Sequence, residues 1–203
     1  MNKSLITSVS PRECELIASG KQTMLVRKTR PKIETPFKNY IYENKGKTKY
    51  WSQPMPIPYT EGRGKVIGSF VCDRVDEFDS EWSEYAYACA PTDIPCAMPM
   101  SEENAIKICK EKGCMTLEDI IDYFGDEEWR AYFWHISDLK IYDKPKELGE
   151  FRKPCNHIND CCTCKEAEFQ YDGDELRGLI CKREISLTRP PQSWVYCEPI
   201  EEE

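Results

Sequence analysis

The chain has 203 residues, of which 40% are apolar and 32% charged, with 12 cysteines and a formal net charge of −8. That length accommodates one large domain, or one domain with an appended module, around an ordinary core. No run approaches the roughly 18 uninterrupted apolar residues of a membrane-spanning helix, and the opening Met-Asn-Lys-Ser-Leu-Ile-Thr-Ser lacks a signal peptide's apolar centre. A cytoplasmic protein with no membrane partner is therefore expected. In a reducing compartment clustered cysteines point to metal and scattered ones to core packing, rather than to a disulfide framework.

Charge is spread unevenly. Residues 1–66 hold 13 Lys and Arg against 5 Glu and no Asp, a balance of +8, while residues 67–203 carry −16. The average hides a basic N-terminal portion, which suits an anionic partner; a dipolar surface without a ligand is the plain alternative.

The first predicted element is a short helix. Ser10 is a suitable N-cap, Glu13 can complete a capping box, and Pro11 occupies the first helical position, where its missing donor costs nothing. Cys14, Ile17 and Ala18 form one apolar stripe, and Gly20 can take the left-handed conformation that ends a helix. A strand follows from Thr23 to Val26, and Arg30-Pro31 begins an irregular link. Tyr40 to Asn44 and Thr48 to Trp51 flank Lys45-Gly46-Lys47 as a hairpin, and Pro54 to Gly64 reads as a loop. Lys65 to Val75 is a central strand in which Gly68 marks a bulge or a close backbone approach. After an insert rich in aromatic residues and prolines come two helices, one opened by Ser101 and stopped at Gly113, the other capped by Thr116 with Asp119 at N3 and stopped at Gly125. Arg130 to Tyr142 reads as a strand or a strand pair, and Leu187 to Cys197 as a loop feeding a last strand. The acidic tail from Glu201 to Glu203 is a solvated terminus.

The run Gly20-Lys-Gln-Thr-Met-Leu-Val-Arg27 after a short helix resembles the signature of the ASCH domain (activating signal cointegrator homology), a β-barrel relative of the PUA and EVE RNA-binding domains. Members show Gly-x-Lys-x-x-Glu-x-Arg; here Gly20 and Arg27 match, Gln22 stands where the Lys is expected and Leu25 where the Glu is expected. Trp134-His135-Ile136-Ser137-Asp138-Leu139 is similar to members of phage and bacterial origin, and the resemblance covers roughly residues 4–145. It implies a PUA-like, mainly antiparallel barrel that binds RNA. Some small members are amidohydrolases that deacetylate N4-acetylcytidine with a Lys, a Thr and a Glu. Their Lys position holds Gln22 and their Thr position holds Leu25; a glutamine is no base and a leucine has no hydroxyl, so hydrolysis by that route is disfavoured.

Two constellations carry the remaining chemistry. Lys21, Thr23, Arg27, Lys28 and Arg30 can line an anion-friendly cleft, with Trp134 and His135 as wall residues. On a strand those two point to opposite faces, so only one of them can line a given cleft. Their plain readings are a core tryptophan and a satisfied semi-buried histidine, and Arg27 can equally pair with an internal carboxylate. Arg189 and Trp194 are weak additions to the wall. The second constellation is Cys155, His157, Cys161, Cys162, Cys164, Cys181 and Cys197. Cys161 and Cys164 form the Cys-x-x-Cys knuckle that presents two thiolates to a tetrahedral zinc, and Cys155 with Cys181 can complete a structural site, His157 and Cys162 being the obvious substitutes. Such a staple would order the polar loops Asn156 to Asp160 and Lys165 to Asp174.

The sequence thus predicts an α+β protein: a PUA-like, mainly antiparallel β-barrel with short flanking helices over residues 1–150, and a zinc-binding cysteine-rich extension over 151–203 whose terminal strand packs on the barrel. The expected function is recognition of RNA, or of a nucleotide or modified base, in a basic cleft beside the first helix and without turnover; DNA is a possible competitor. A nucleic-acid or nucleoside-processing enzyme (an amidohydrolase or a nuclease) and a protein-interaction module are the alternatives.

Overall fold

The computed structural model describes residues 3–46, 62–81, 100–125, 128–153, 167–173, 175–181 and 186–200. Strand β1 (Ser4–Val9) leads into helix α1 (Pro11–Ala18), followed by strands β2 (Met24–Arg27), β3 (Phe37–Glu43), β4 (Val66–Cys72) and β5 (Val75–Asp79). Helices α2 (Glu102–Glu111) and α3 (Leu117–Phe124) come next, then strands β6 (Arg130–His135), β7 (Ser137–Lys146), β8 (Ala167–Asp172), β9 (Glu175–Cys181) and β10 (Trp194–Cys197). The architecture is α+β, with three α-helices among the described residues and every strand pair antiparallel except β1 with β3.

A five-stranded sheet runs in the order β10-β1-β3-β4-β7, and a three-stranded one in the order β2-β6-β5. One ribbon serves both. β4 passes into β5 through Asp73 and Arg74, and β6 into β7 through Ile136, so a single antiparallel pair bends from one sheet to the other. Bends of this kind let two sheets share a core. Between the sheets lie Leu5, Val9, Ile17, Leu25, Phe37, Ile41, Phe70 and Trp134. The other side of the three-stranded sheet carries Met24, Val26, Ala131 and Phe133 and is covered by α2 and α3 through Ala105, Cys109 and Ile120. The outer side of the five-stranded sheet packs Ile6, Tyr40 and Tyr42 against Leu148, Phe151 and Leu187.

The helix ends form as their caps dictate. Ser10 and Thr116 each close a full capping box with Glu13 and Asp119, and Gly20 and Gly125 follow with φ of 72° and 98°. The stop after α2 differs in detail: Gly113 packs so closely that a Cβ would come within 2.7 Å of the Cys109 carbonyl and of the Val26 side chain, and Cys114 takes the positive φ of 54°.

Two expectations are corrected. Lys65 to Val75 is not one strand, because the chain must turn at Asp73-Arg74 to change sheets. Both readings of Gly68 hold: the register shifts there, and a Cβ would stand 2.4 Å from the Lys140 carbonyl. Residues 167–172, expected within a loop, form β8, paired with β9 in a two-stranded sheet. The last strand, β10, adds to the edge of the five-stranded sheet beside β1. The second arm of the expected hairpin at Thr48 to Trp51, the loop from Pro54 to Glu61, the aromatic insert and the acidic tail lie outside the described residues. No helix among those described is long and apolar enough to cross a membrane.

Candidate nucleic-acid interface

Helices α1 and α3 stand across from each other with β2 between them, and the gap they leave is a cleft of about 380 Å³. Arg12, Glu13 and Leu16 come from α1, Val26 and Arg27 from β2, Cys114 and Met115 from the turn before α3, and Asp119, Asp122 and Tyr123 from α3 itself. The cleft is not simply basic. Each capping carboxylate does double duty. Glu13 Oε2 accepts from the Ser10 backbone at 3.2 Å and from its hydroxyl at 2.9 Å, while Oε1 lies 3.5 Å from the Arg27 guanidinium. Asp119 Oδ2 accepts from the Thr116 backbone at 2.8 Å and lies 3.8 Å from the Arg12 guanidinium. With Asp122, three carboxylates face two arginines.

Arg27 sits at the end of β2 with only 6% of its surface exposed. Its guanidinium donates to the Val26 carbonyl at 2.7 Å and the Ser8 carbonyl at 3.1 Å, so it ties β2 to the end of β1 as well as lining the cleft. The internal carboxylate that the sequence offers Arg27 as a partner is Glu13.

Positive charge is concentrated next door. Lys28, Arg30 and Lys32, with Thr29, Ile33 and Glu34, line a groove of about 600 Å³ whose far wall is Arg130 and Tyr132 of β6. Arg130 forks onto Asp79, whereas Lys28, Arg30 and Lys32 have no ion pair among the described residues. Residue 28 joins the two concavities: the Lys28 ammonium lies 4.9 Å from the centroid of the Tyr123 ring, and the Tyr123 hydroxyl meets the Lys28 backbone. Burial pushes that hydroxyl above the usual tyrosine value. At the end of the groove Trp194 Nε1 donates to Thr29 Oγ1 at 3.0 Å, and the Tyr196 hydroxyl accepts from the Lys32 backbone at 2.8 Å.

The residues singled out in the sequence separate. Arg27 lines the cleft, and Lys28 and Arg30 line the groove. Lys21 and Thr23 are exposed but line neither; the backbone of Lys21 accepts from the Cys114 thiol, and that of Thr23 bonds to Lys112 and Ile136. Trp134 is corrected from wall to core: it is fully buried between the sheets, edge-on to Phe37 at 5.6 Å. It faces inward because β6 presents Tyr132 and Trp134 to the shared core and Ala131 and Phe133 to the helices. His135 is half-buried on the helix side of the sheet, where Nε2 lies 2.8 Å from Asp76 Oδ2 and 2.9 Å from Arg74. Trp194, partly buried, packs on Trp134 and Tyr196, and Arg189 is exposed. Gln22 is buried, its amide donating to the Met24 carbonyl at 3.0 Å, and Leu25 is in the core.

Sequence reasoning missed Lys32, Arg130, Arg12 and Tyr123. For Lys32 a signal existed: Lys28, Arg30 and Lys32 recur every second residue, which in an extended chain places them on one side. Arg130 arrives from another strand and carries no such signal.

Cys155, Cys161 and Cys164, with His157 and Cys162, lie outside the described residues; of Cys181 the backbone is described, at the end of β9, paired with Ala167. Cys197 is buried in the core, as are Cys14, Cys72 and Cys109, though in different clusters. Burial pushes Cys72, Cys109 and Cys197 up to about 12 and Cys14 in the same direction, which makes them inert packing residues. Among the described residues no three metal-ligating side chains converge.

No family model and no curated protein matches the chain. Among solved structures it is similar to the crystal structure of ASCH from Zymomonas mobilis, at 16% identity over 73% of this chain and 76% of that one, with a TM-score of 0.46. It is similar too to two point variants of that protein, at 16% identity with a TM-score of 0.43 over 71% of this chain and 76% of the other, and at 18% identity with a TM-score of 0.42 over 72% and 75%. A likeness of this degree carries neither a ligand nor a reaction over to this chain.

Proposed function

We propose that this protein binds single-stranded RNA, or a nucleotide of it, along the groove and into the cleft beside α1, without turnover. The observation that carries the reading is the convergence of Lys28, Arg30 and Lys32 on one groove in a chain whose net charge is −8. Unpaired cations along one track are what a phosphodiester backbone requires, and a single strand follows such a track while leaving its bases free to enter a neighbouring concavity. The cleft has the chemistry for that role: an aromatic ring and Leu16 for the flat face of a base, carboxylates for its amino groups, arginines for its carbonyls. Gln22 and Leu25, the positions where the related amidohydrolases hold their lysine and threonine, are buried and do not line the cleft, which favours binding over hydrolysis. Titration of a fluorescently labelled single-stranded RNA at low salt tests this. Saturable binding of an RNA that is recovered intact supports it, and absence of binding overturns it.

For the extension we propose a structural zinc held by Cys155, Cys161, Cys164 and Cys181. Its support is the Cys-x-x-Cys spacing together with a β-hairpin, β8 and β9, that follows the knuckle and ends at Cys181.

A further inference from the structure

The Tyr123 ring is held from several sides. Its hydroxyl meets the Lys28 backbone, and the Phe124 ring stands against it at 4.8 Å and 80°. Its face is covered by the Lys28 ammonium at 4.9 Å. Tyr123 lines the cleft and Lys28 lines the groove, so this one contact is the seam between them. The other two restraints do not involve the ammonium, and among the described residues that ammonium has no carboxylate to hold it. An ammonium on an aromatic face at a partly exposed site is weakly bound, and a phosphate oxygen is the stronger competitor for it.

Resting on the nucleic-acid reading above, we propose that Tyr123 is the platform on which one unpaired base stacks inside the cleft, and that Lys28 shields this platform until a phosphate draws its ammonium into the groove. A phosphate and a base on the same strand are then recognised together. The phosphate uncovers the ring, and the base takes the place that the ammonium leaves. Because every base has a π face, the platform is tolerant of sequence. The ligand class is a phosphodiester strand rather than a free nucleoside, which has no group to move Lys28. No bond is made or broken, and Tyr123 acts as a positioning and stacking residue.

The test compares a labelled single-stranded RNA of roughly ten nucleotides with an abasic strand of the same length and label. The wild-type protein is expected to hold the RNA about 5- to 150-fold more tightly, the range that one stacked base contributes. Tyr123→Leu should abolish the difference between the RNA and the abasic strand, and Tyr123→Phe, which keeps the ring, should preserve it. Equal affinity of the wild type for the two strands overturns the proposal, needs no variant, and leaves the nucleic-acid reading standing. So does a Tyr123→Leu protein that loses both strands by the same factor, since the ring would then be only a prop. Failure of the wild type to bind either strand at low salt removes the nucleic-acid reading, and this proposal with it.

Discussion

Removing Arg30 and Lys32 together gives the most direct measure of the groove. Both side chains are exposed and neither has an ion pair among the described residues, so their loss should leave the fold intact. Arg130 is held by Asp79, which leaves Lys28, Arg30 and Lys32 as the cations able to displace counterions from a strand. On a single strand each phosphate neutralised contributes about 0.7 to the slope of log affinity against log salt, so three contacts give a slope of about −2 and one contact about −0.7. Between about 50 and about 200 mM salt the wild type should therefore weaken about 18-fold and the Arg30→Ala, Lys32→Ala protein only about 3-fold. Fluorescence anisotropy with a labelled single-stranded RNA over that range reads both slopes, and a thermal melt confirms that the variant is folded. A variant whose affinity drops while its slope stays parallel to that of the wild type would refute the reasoning, because the two side chains would then not be meeting phosphates.

Three further outcomes are expected. Above the ordinary thiol value near 8.5 the unfolded chain releases the protons of its cysteines, whereas Cys72, Cys109 and Cys197 keep theirs until about 12 in the fold. Stability should thus be fully present below that value and fall as pH rises, by about 1.4 kcal/mol per pH unit for each such thiol. Denaturant midpoints between about pH 9 and about pH 11 should fall less steeply for Cys109→Ala, by that single-thiol amount, and parallel slopes would count against the burial argument. Elemental analysis of protein purified without chelator should find zinc, lost in the Cys161→Ser, Cys164→Ser protein; metal-free wild type would end the zinc proposal. Gln22→Lys should lower stability by roughly 3 kcal/mol or more, because it places an ammonium where Gln22 is 2% exposed. An unchanged denaturation midpoint would show that the site is wetter than its packing indicates.

How much of this was legible in the sequence depends on whether the signal was local. Both capping boxes, the glycines that follow α1 and α3, and the strand after Gly20 came out as read, since each depends on residues within a turn of one another. The split of Lys65 to Val75 did not. β4 is buried along nearly its whole length, so its apolar run continues up to the corner and gives no sign of the bend at Asp73-Arg74. Trp134 illustrates the same limit. Alternation correctly set it opposite His135, but both faces of the three-stranded sheet are covered, one by the other sheet and one by helices, so alternation could not tell the core from a wall. Positive charge between Lys21 and Arg30 was plain, yet its partition between a mixed cleft and a basic groove required Asp119, Asp122 and Arg130, which the chain supplies from about 90 to 110 residues further on.

The double duty of Glu13 and Asp119 has a consequence for how such a cleft can change its preferences. Each of these carboxylates closes a helix end and also stands opposite an arginine, so a substitution at either position that removes the acceptor oxygen along with the charge also frays the helix that shapes the cleft. Arg27 is bound in the same way, since it also pins β2 to β1. Leu16 and Asp122 line the same space with side chains that, among the described residues, carry no cap and no strand-to-strand tie. New ligand preferences, whether selected or engineered, therefore have a short route through those two positions, while the charged pairs around them persist because the helices need them.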